Sequence, residues 1–215
     1  MQEAVMKRFI FLIIPLGILF IFSITCKKNT TAIETQPEPE PEPKEFEISD
    51  FPNTPGWHFT YLVKDSTVQP RIDTVVVDIV GDTLLPGNRT ATIWRYQYPN
   101  ITDTMYAWAH EDTLRFYTQW EGNYAQLLLV FPLKIGNQWR GDFTADTVTV
   151  LDKQPVEVIA GHFAESYRLR HFFWGPNAGG LEYLWLVPDV GIVKMDLNDY
   201  LLSQYWELIG YSFPE

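Results

Sequence analysis

The stretch on which the fold depends is residues 92–98, which read Thr92-Ile93-Trp94-Arg95-Tyr96-Gln97-Tyr98. Large aromatic residues alternate with aliphatic or polar ones along it. Successive side chains of a β-strand point to opposite faces, so this period of two predicts a strand with one aromatic face. The same period recurs at residues 57–64 and 75–79. We therefore expect a protein built mainly of β-strands.

Turn signals divide the chain at intervals of about ten residues. Gly81-Asp82, Pro99-Asn100, Gly136-Asn137 and Pro188-Asp189 each lie between runs rich in aromatic and β-branched residues. This spacing predicts an all-β fold, an antiparallel meander of about 10–12 strands. Because a flat sheet of that size exposes long edges, we expect it to curl into a barrel, a half-barrel or a two-layer sandwich. Residues 127–131, apolar on both faces, are predicted to form a central strand.

Composition predicts three parts along the chain. Residues 1–25 have the pattern of a signal peptide, residues 26–50 that of a linker, and residues 51–215 that of a single β domain. In the linker, residues 36–44 alternate proline with charged or polar residues, which favours an extended spacer and cannot bury a core. The third part is long enough for one well-packed core.

Charge and cysteine content exclude some classes of function. The formal net charge is −11, which argues against nucleic acid as a partner because nucleic-acid binding needs a positive surface. The chain has one cysteine, so it cannot form an internal disulfide.

The N-terminal segment predicts export. Lys7 and Arg8 precede the apolar block at residues 9–24, and Cys26 follows it. A helix over this block would be about 24 Å long, whereas the hydrocarbon core of a membrane is about 30 Å thick. The block therefore indicates a cleaved signal peptide rather than a permanent membrane span.

The end of this segment, Ser23-Ile24-Thr25-Cys26, resembles the lipobox of bacterial lipoproteins, and the following Lys27-Lys28 resembles the start of Bacteroidota lipoproteins. The resemblance implies that Cys26 carries a lipid anchor. It also implies that the membrane is a partner through that anchor and that the protein lies in the cell envelope, at the outer membrane.

Three segments of the β domain, residues 131–139, 159–169 and 185–194, resemble uncharacterised bacterial envelope lipoproteins. That resemblance implies a curved antiparallel sheet, akin to the open barrels of lipoprotein carriers. It implies no known reaction.

No motif in the sequence predicts catalysis. The four histidines, His58, His110, His162 and His171, are not spaced as metal ligands, and no Gly-x-Ser-x-Gly nucleophile motif occurs. We therefore expect no metal, no cofactor and no enzymatic activity. A glycan-acting enzyme stays open as an alternative, because its two carboxylates need to be close only in space.

The candidate ligand-binding residues are Trp94, Tyr96, Tyr106 and Trp108. Trp94 and Tyr96 share one face of their strand, and Tyr106 and Trp108 share one face of the next. If the strands pair, the rings could meet across them and form a wall for a sugar or an apolar ligand. The alternative is that these rings belong to the core, where aromatic residues are ordinary.

These observations favour a non-catalytic binding or assembly module held at the envelope. Its partner would be an envelope protein, a glycan or a hydrophobic ligand. A deep apolar cavity would favour an open-barrel carrier of a hydrophobic ligand, whereas a filled core with an exposed apolar patch would favour an accessory protein.

Overall fold

The computed structural model describes residues 44–67, 70–118, 125–142, 146–174, 179–199 and 202–214. The predicted signal peptide and Cys26 lie outside the described residues. The described residues form one antiparallel sheet of twelve strands after a 3-10 helix at Ile48–Asp50, which confirms the all-β meander. The strands are β1 (His58–Asp65), β2 (Arg71–Leu85), β3 (Arg89–Gln97), β4 (Thr102–His110), β5 (Thr113–Tyr117), β6 (Leu127–Val130), β7 (Gln138–Arg140), β8 (Thr147–Val158), β9 (Gly161–Trp174), β10 (Gly179–Val187), β11 (Gly191–Asp199) and β12 (Ser203–Ser212).

The sheet curls into a nearly closed barrel. Strands that are adjacent in the chain pair with each other, except β6 and β7, which are the two edges of the sheet, and β1 also pairs with β12. Across the seam between these edges, Trp139 donates its indole N–H to the carbonyl oxygen of Leu128 over 2.7 Å. Next to the seam, the backbone N–H of Ala125 donates to Asp142 Oδ2 over 2.8 Å. Of the three predicted forms, a barrel, a half-barrel and a two-layer sandwich, the sheet adopts the barrel.

The alternation seen in the sequence separates the interior of the barrel from its outer surface. On β1, Phe59, Tyr61 and Val63 are buried, and on β2 Val75 and Val77 are buried. The residues between them are more exposed. Removing these apolar side chains from water is the main contribution to the stability of such a sheet.

Two local expectations were wrong. Gly81-Asp82 is not a turn, because β2 continues through it with a β-bulge that shifts the pairing with β3 between Ile79 and Gly81. Residues 127–131 do not form a central strand, because β6 lies at an edge of the sheet. Leu128 and Leu129, on opposite faces of this strand, are both buried, and the backbone carbonyl oxygen of Leu128 accepts the indole N–H of Trp139 from the other edge strand.

The segment before β1 fills one end of the barrel. The side chain of Phe46 is fully buried, and its backbone carbonyl accepts the N–H of Leu133 over 3.0 Å. Its ring lies 5.5 Å from that of Phe131 and 5.6 Å from that of Tyr167, between ring centroids. The packed region therefore begins before residue 51, the predicted start of the domain, because Phe46 supplies a large apolar side chain there.

The 3-10 helix ties this segment to the barrel through Asp50. One carboxylate oxygen of Asp50 lies 2.7 Å from Lys44 Nζ, and the other accepts the backbone N–H of Glu47 over 3.1 Å. The backbone carbonyl of Asp50 accepts the N–H of Asp189, in the turn between β10 and β11, over 2.7 Å. These contacts offset the cost of burying a carboxylate.

Candidate functional site

The curled sheet encloses a cavity of about 580 Å³. Most of its surface is apolar, and several strands from both halves of the sheet contribute to it. The lining residues are Tyr61, Val77, Trp94, Tyr96, Tyr98, Asp103, Met105, Phe116, Gln126, Leu127, Asp146, His171, Phe173, Glu182, Leu184, Ile192, Met195, Leu197, Asp199, Leu202, Gln204 and Trp206.

The cavity lies toward one end of the barrel. Consecutive strands of a meander run in opposite directions, so the turns after odd-numbered strands lie at one end and those after even-numbered strands at the other. Tyr98, which follows β3, and Asp199, which ends β11, both line the cavity. Phe46 pairs with Leu133 after β6 and so fills the opposite end. The cavity therefore has its mouth at the end where Tyr98 and Asp199 lie and its floor against the N-terminal segment.

Trp94 belongs both to the core and to the floor of the cavity. It stacks on Phe51 and Phe59 with ring centroids 6.1 Å and 6.0 Å away, and it meets the ring of Phe116 edge-on at 5.3 Å. Its indole N–H donates to Asn53 Oδ1 over 2.9 Å. The interpretation of Trp94 as a core residue is therefore correct, and its remaining surface faces the cavity.

Three further aromatic residues form part of the wall above this floor. Trp206 contacts Tyr61 and Tyr98 edge-on, with ring centroids 5.9 Å and 6.1 Å away. The hydroxyl of Tyr61 donates to the carbonyl oxygen of Ile192 over 2.7 Å. Burial raises the pKa of the Tyr61 phenol, with a further contribution from Tyr96. Tyr61 therefore stays neutral and acts as a hydrogen-bond donor within the wall.

A polar group interrupts the apolar wall. His171 on β9 is only 3% exposed, and its Nδ1 lies 3.0 Å from Glu182 Oε2 on β10. Burial raises the pKa of Tyr96. This pKa is raised further by interactions with Tyr98, Glu182 and Asp103. Because β3 and β10 belong to opposite halves of the strand order, the charge of Glu182 acts on Tyr96 across the interior.

The four candidate residues do not share one face of the sheet. In the pairing of β3 with β4, Trp94 lies opposite Met105, whereas Tyr106 lies opposite Ile93. Trp94 and Tyr96 therefore face the cavity, while Tyr106 and Trp108 face outward. The strands do pair as expected, but the expectation that the four rings meet in one wall was wrong, because the register sets the two aromatic faces on opposite sides.

Trp108 packs on the outer face instead. The guanidinium groups of Arg89 and Arg115 lie 4.9 Å and 5.4 Å from its ring centroid. Trp108 and Tyr106 pack against a small cluster that includes Leu85 and Tyr117. This cluster is separate from the main core.

Sequence reasoning missed His171, Glu182 and Trp206 as residues of the site. One signal was present on the strand at residues 181–187, where Glu182 has the same parity as Leu184 and Leu186. A charged residue in phase with core residues indicates a polar group in the interior. His171 and Trp206 carried no comparable local signal.

Within the described ranges, no group of three His, Cys, Asp or Glu side chains could hold a metal ion. In the same part of the chain, no helix is long and apolar enough to span a membrane.

Comparisons with known proteins identify two solved structures of similar shape. The first is a protein from Bacteroides fragilis with a YmcC-like fold, inferred to be exported: the identity is 14%, the TM-score is 0.47, and 79% of this chain and 100% of the other are covered. The second, from Parabacteroides distasonis, is inferred to be a lipoprotein: the identity is 13%, the TM-score is 0.41, and 75% of this chain and 97% of the other are covered. No family model and no curated protein matches the chain. At this distance, neither structure carries an inference about a ligand or an activity.

Proposed function

We propose that the protein is a lipid-anchored, non-catalytic binding protein of the bacterial cell envelope, and that its cavity holds a small hydrophobic ligand. The cavity is the observation that carries this proposal. Its volume of about 580 Å³ lies within the range of roughly 300–1,000 Å³ that small-molecule sites occupy. Aromatic and aliphatic side chains make up most of its lining, as in such sites.

The number of strands gives a physical reason for the cavity. The diameter of a barrel grows with its strand number, and about eight strands leave a space that side chains alone can fill. Twelve strands enclose more space. The N-terminal segment with Phe46 and Phe51 fills one end, and the space that remains lies at the other. A cavity that follows from the architecture in this way supports a ligand site rather than a packing defect.

Binding of an uncharged apolar fluorophore, N-phenyl-1-naphthylamine, tests the proposal. Met195 is half-buried and lines the cavity, so Met195→Trp is expected to fill part of it and to weaken binding at least about tenfold. The matched control is Lys194→Trp, because Lys194 is the preceding residue and lies on the outer face over the ring of Trp185. Lack of binding by the unmodified protein, or equal weakening by the two variants, would refute a ligand site in the cavity.

The anchor is supported by the sequence alone. Cys26 at the end of the apolar block is the proposed site of lipidation, with the outer membrane as the proposed location. Cys26→Ala is expected to abolish lipid attachment and signal cleavage. Fractionation and intact mass measure both, and a variant with the mobility and membrane fraction of the unmodified protein would contradict the lipidation.

A further inference from the structure

The charged residues that line the cavity are almost all acidic. They are Asp103, Asp146, Glu182 and Asp199, joined by His171, and none of the described lining residues is Lys or Arg. An apolar space with acidic groups at its wall has a negative potential, and the low dielectric of the interior strengthens that potential.

Basic residues on the same strands lie on the other side of the sheet. Arg95 lies between Trp94 and Tyr96 on β3, and Lys194 precedes Met195 on β11, but neither basic residue lines the cavity. Lys194 instead places its Nζ 4.6 Å from the centroid of the Trp185 ring. The alternation of side chains along these two strands thus places the basic residues on the outer face and the apolar residues toward the cavity.

Two of the acidic residues, Asp103 and Glu182, lie in different halves of the strand order and both affect Tyr96. Asp103 lies on β4 opposite Tyr96 in the sheet, and Glu182 lies on β10 in the other half of the strand order. Burial is the main cause of the raised pKa of Tyr96. The charges of Glu182 and Asp103 raise this pKa further, because they disfavour the phenolate. Beside the hydroxyl of Tyr96, the carboxylates of Asp103 and Glu182 therefore favour a positive charge over a negative one.

We infer that the cavity selects apolar ligands that carry a positively charged group, such as an alkylammonium, over carboxylates with the same hydrocarbon body. This inference rests on the proposed function. The positive group would lie near Tyr96, Asp103 and Glu182, and the hydrocarbon would extend toward the floor at Trp94. The faces of Tyr98 and Trp206 suit the same group, because aromatic rings attract cations.

The test compares dodecyltrimethylammonium with dodecanoate, both below their micellar concentrations and at pH 8, on the full-length protein. Calorimetry measures each affinity directly, and displacement of N-phenyl-1-naphthylamine reports whether both compete for the cavity. The ammonium is expected to bind at least about tenfold more tightly than the carboxylate. Added salt is expected to reduce this ratio, because part of the interaction is screened.

Two variants that each remove one negative charge test whether the selectivity for the ammonium arises at the cavity wall. Glu182→Gln and Asp103→Asn are each expected to reduce the ratio at least about threefold, without changing the affinity for the uncharged fluorophore. Asp103 is exposed, so Asp103→Asn keeps the test available if Glu182→Gln, which alters the pairing with His171, impairs folding. The matched control is Asp196→Asn, which removes one negative charge from the outer face of β11, between the lining residues Met195 and Leu197.

The outcomes separate the two proposals. If the uncharged fluorophore fails to bind, the ligand site in the cavity and therefore the proposed function are wrong. If the fluorophore binds and dodecanoate binds as tightly as the ammonium, the proposed function stands and the charge selectivity is wrong. Selectivity that survives unchanged in both charge-removing variants, or that Asp196→Asn reduces equally, also overturns the assignment to the cavity wall.

Discussion

Phe46→Ala tests whether the segment before β1 is part of the folded core. The Phe46 side chain is fully buried, so its removal forfeits about 2.5 kcal/mol of transfer free energy. A vacated volume of roughly 100 Å³, at about 24 cal/mol per Å³, adds about 2 kcal/mol. The rings of Phe131 and Tyr167 also lose an aromatic neighbour. The free energy of unfolding is expected to fall by about 4–5 kcal/mol in total.

Urea denaturation followed by tryptophan fluorescence measures this change, as a lower midpoint at an unchanged m-value. The melting temperature is expected to fall by about 10–15 °C. Phe213→Ala is the matched control, because the same atoms are removed from a side chain that is 56% exposed and contacts Trp57 and Tyr211. The control is expected to cost less than about 1.5 kcal/mol. A cost for Phe46→Ala no larger than that of the control would refute the reasoning, since the segment would then add nothing to the core.

Two further predictions concern the wall and a turn of the barrel. Tyr61→Phe loses the hydrogen bond to Ile192 and is expected to cost about 1 kcal/mol at pH 7. Because burial raises the pKa of Tyr61 in the folded state, whereas an unfolded tyrosine ionises near pH 10, stability should fall above about pH 10, and less steeply in this variant. Denaturation at pH 7 and at about pH 10.5 measures both effects, and equal slopes would contradict the role of Tyr61. Gly191 and Gly87 have φ of +86° and +80°, but a Cβ at Gly191 would lie 2.8 Å from Pro52 Cγ, while nothing lies within 4 Å at Gly87. Gly191→Ala should therefore cost about 2–4 kcal/mol and Gly87→Ala about 1 kcal/mol, and equal costs in denaturation would show that the contact with Pro52 does not matter.

The fold class was predictable because the alternation of side chains is a property of each strand by itself. Residues 92–98 showed a period of two before any partner strand was known, and most of them form β3. The turn at Pro188-Asp189 was equally local, since β10 ends at Val187 and β11 begins at Gly191. Gly81 was misinterpreted because a glycine signals a turn and a bulge equally well.

The candidate site was predictable only in part. Trp94 and Tyr96 were identified and do line the cavity, whereas Tyr106 and Trp108 were identified by the same pattern and lie on the outer face. The pattern within a strand separates two faces but does not say which of them turns inward. That choice depends on the pairing between strands, and a shift of one residue would reverse it.

The sequence by itself determined that the domain after the linker is all-β, that side chains alternate between the two faces of its strands, and that the apolar N-terminal block is followed by the single cysteine. These features depend on residues close together in the chain. Only the tertiary structure decided that the sheet closes around a cavity, that Phe46 fills one end of it, and that Glu182 and Asp103 act on Tyr96 from opposite sides. Those arrangements join residues far apart in the chain, and the register of twelve strands sets them together.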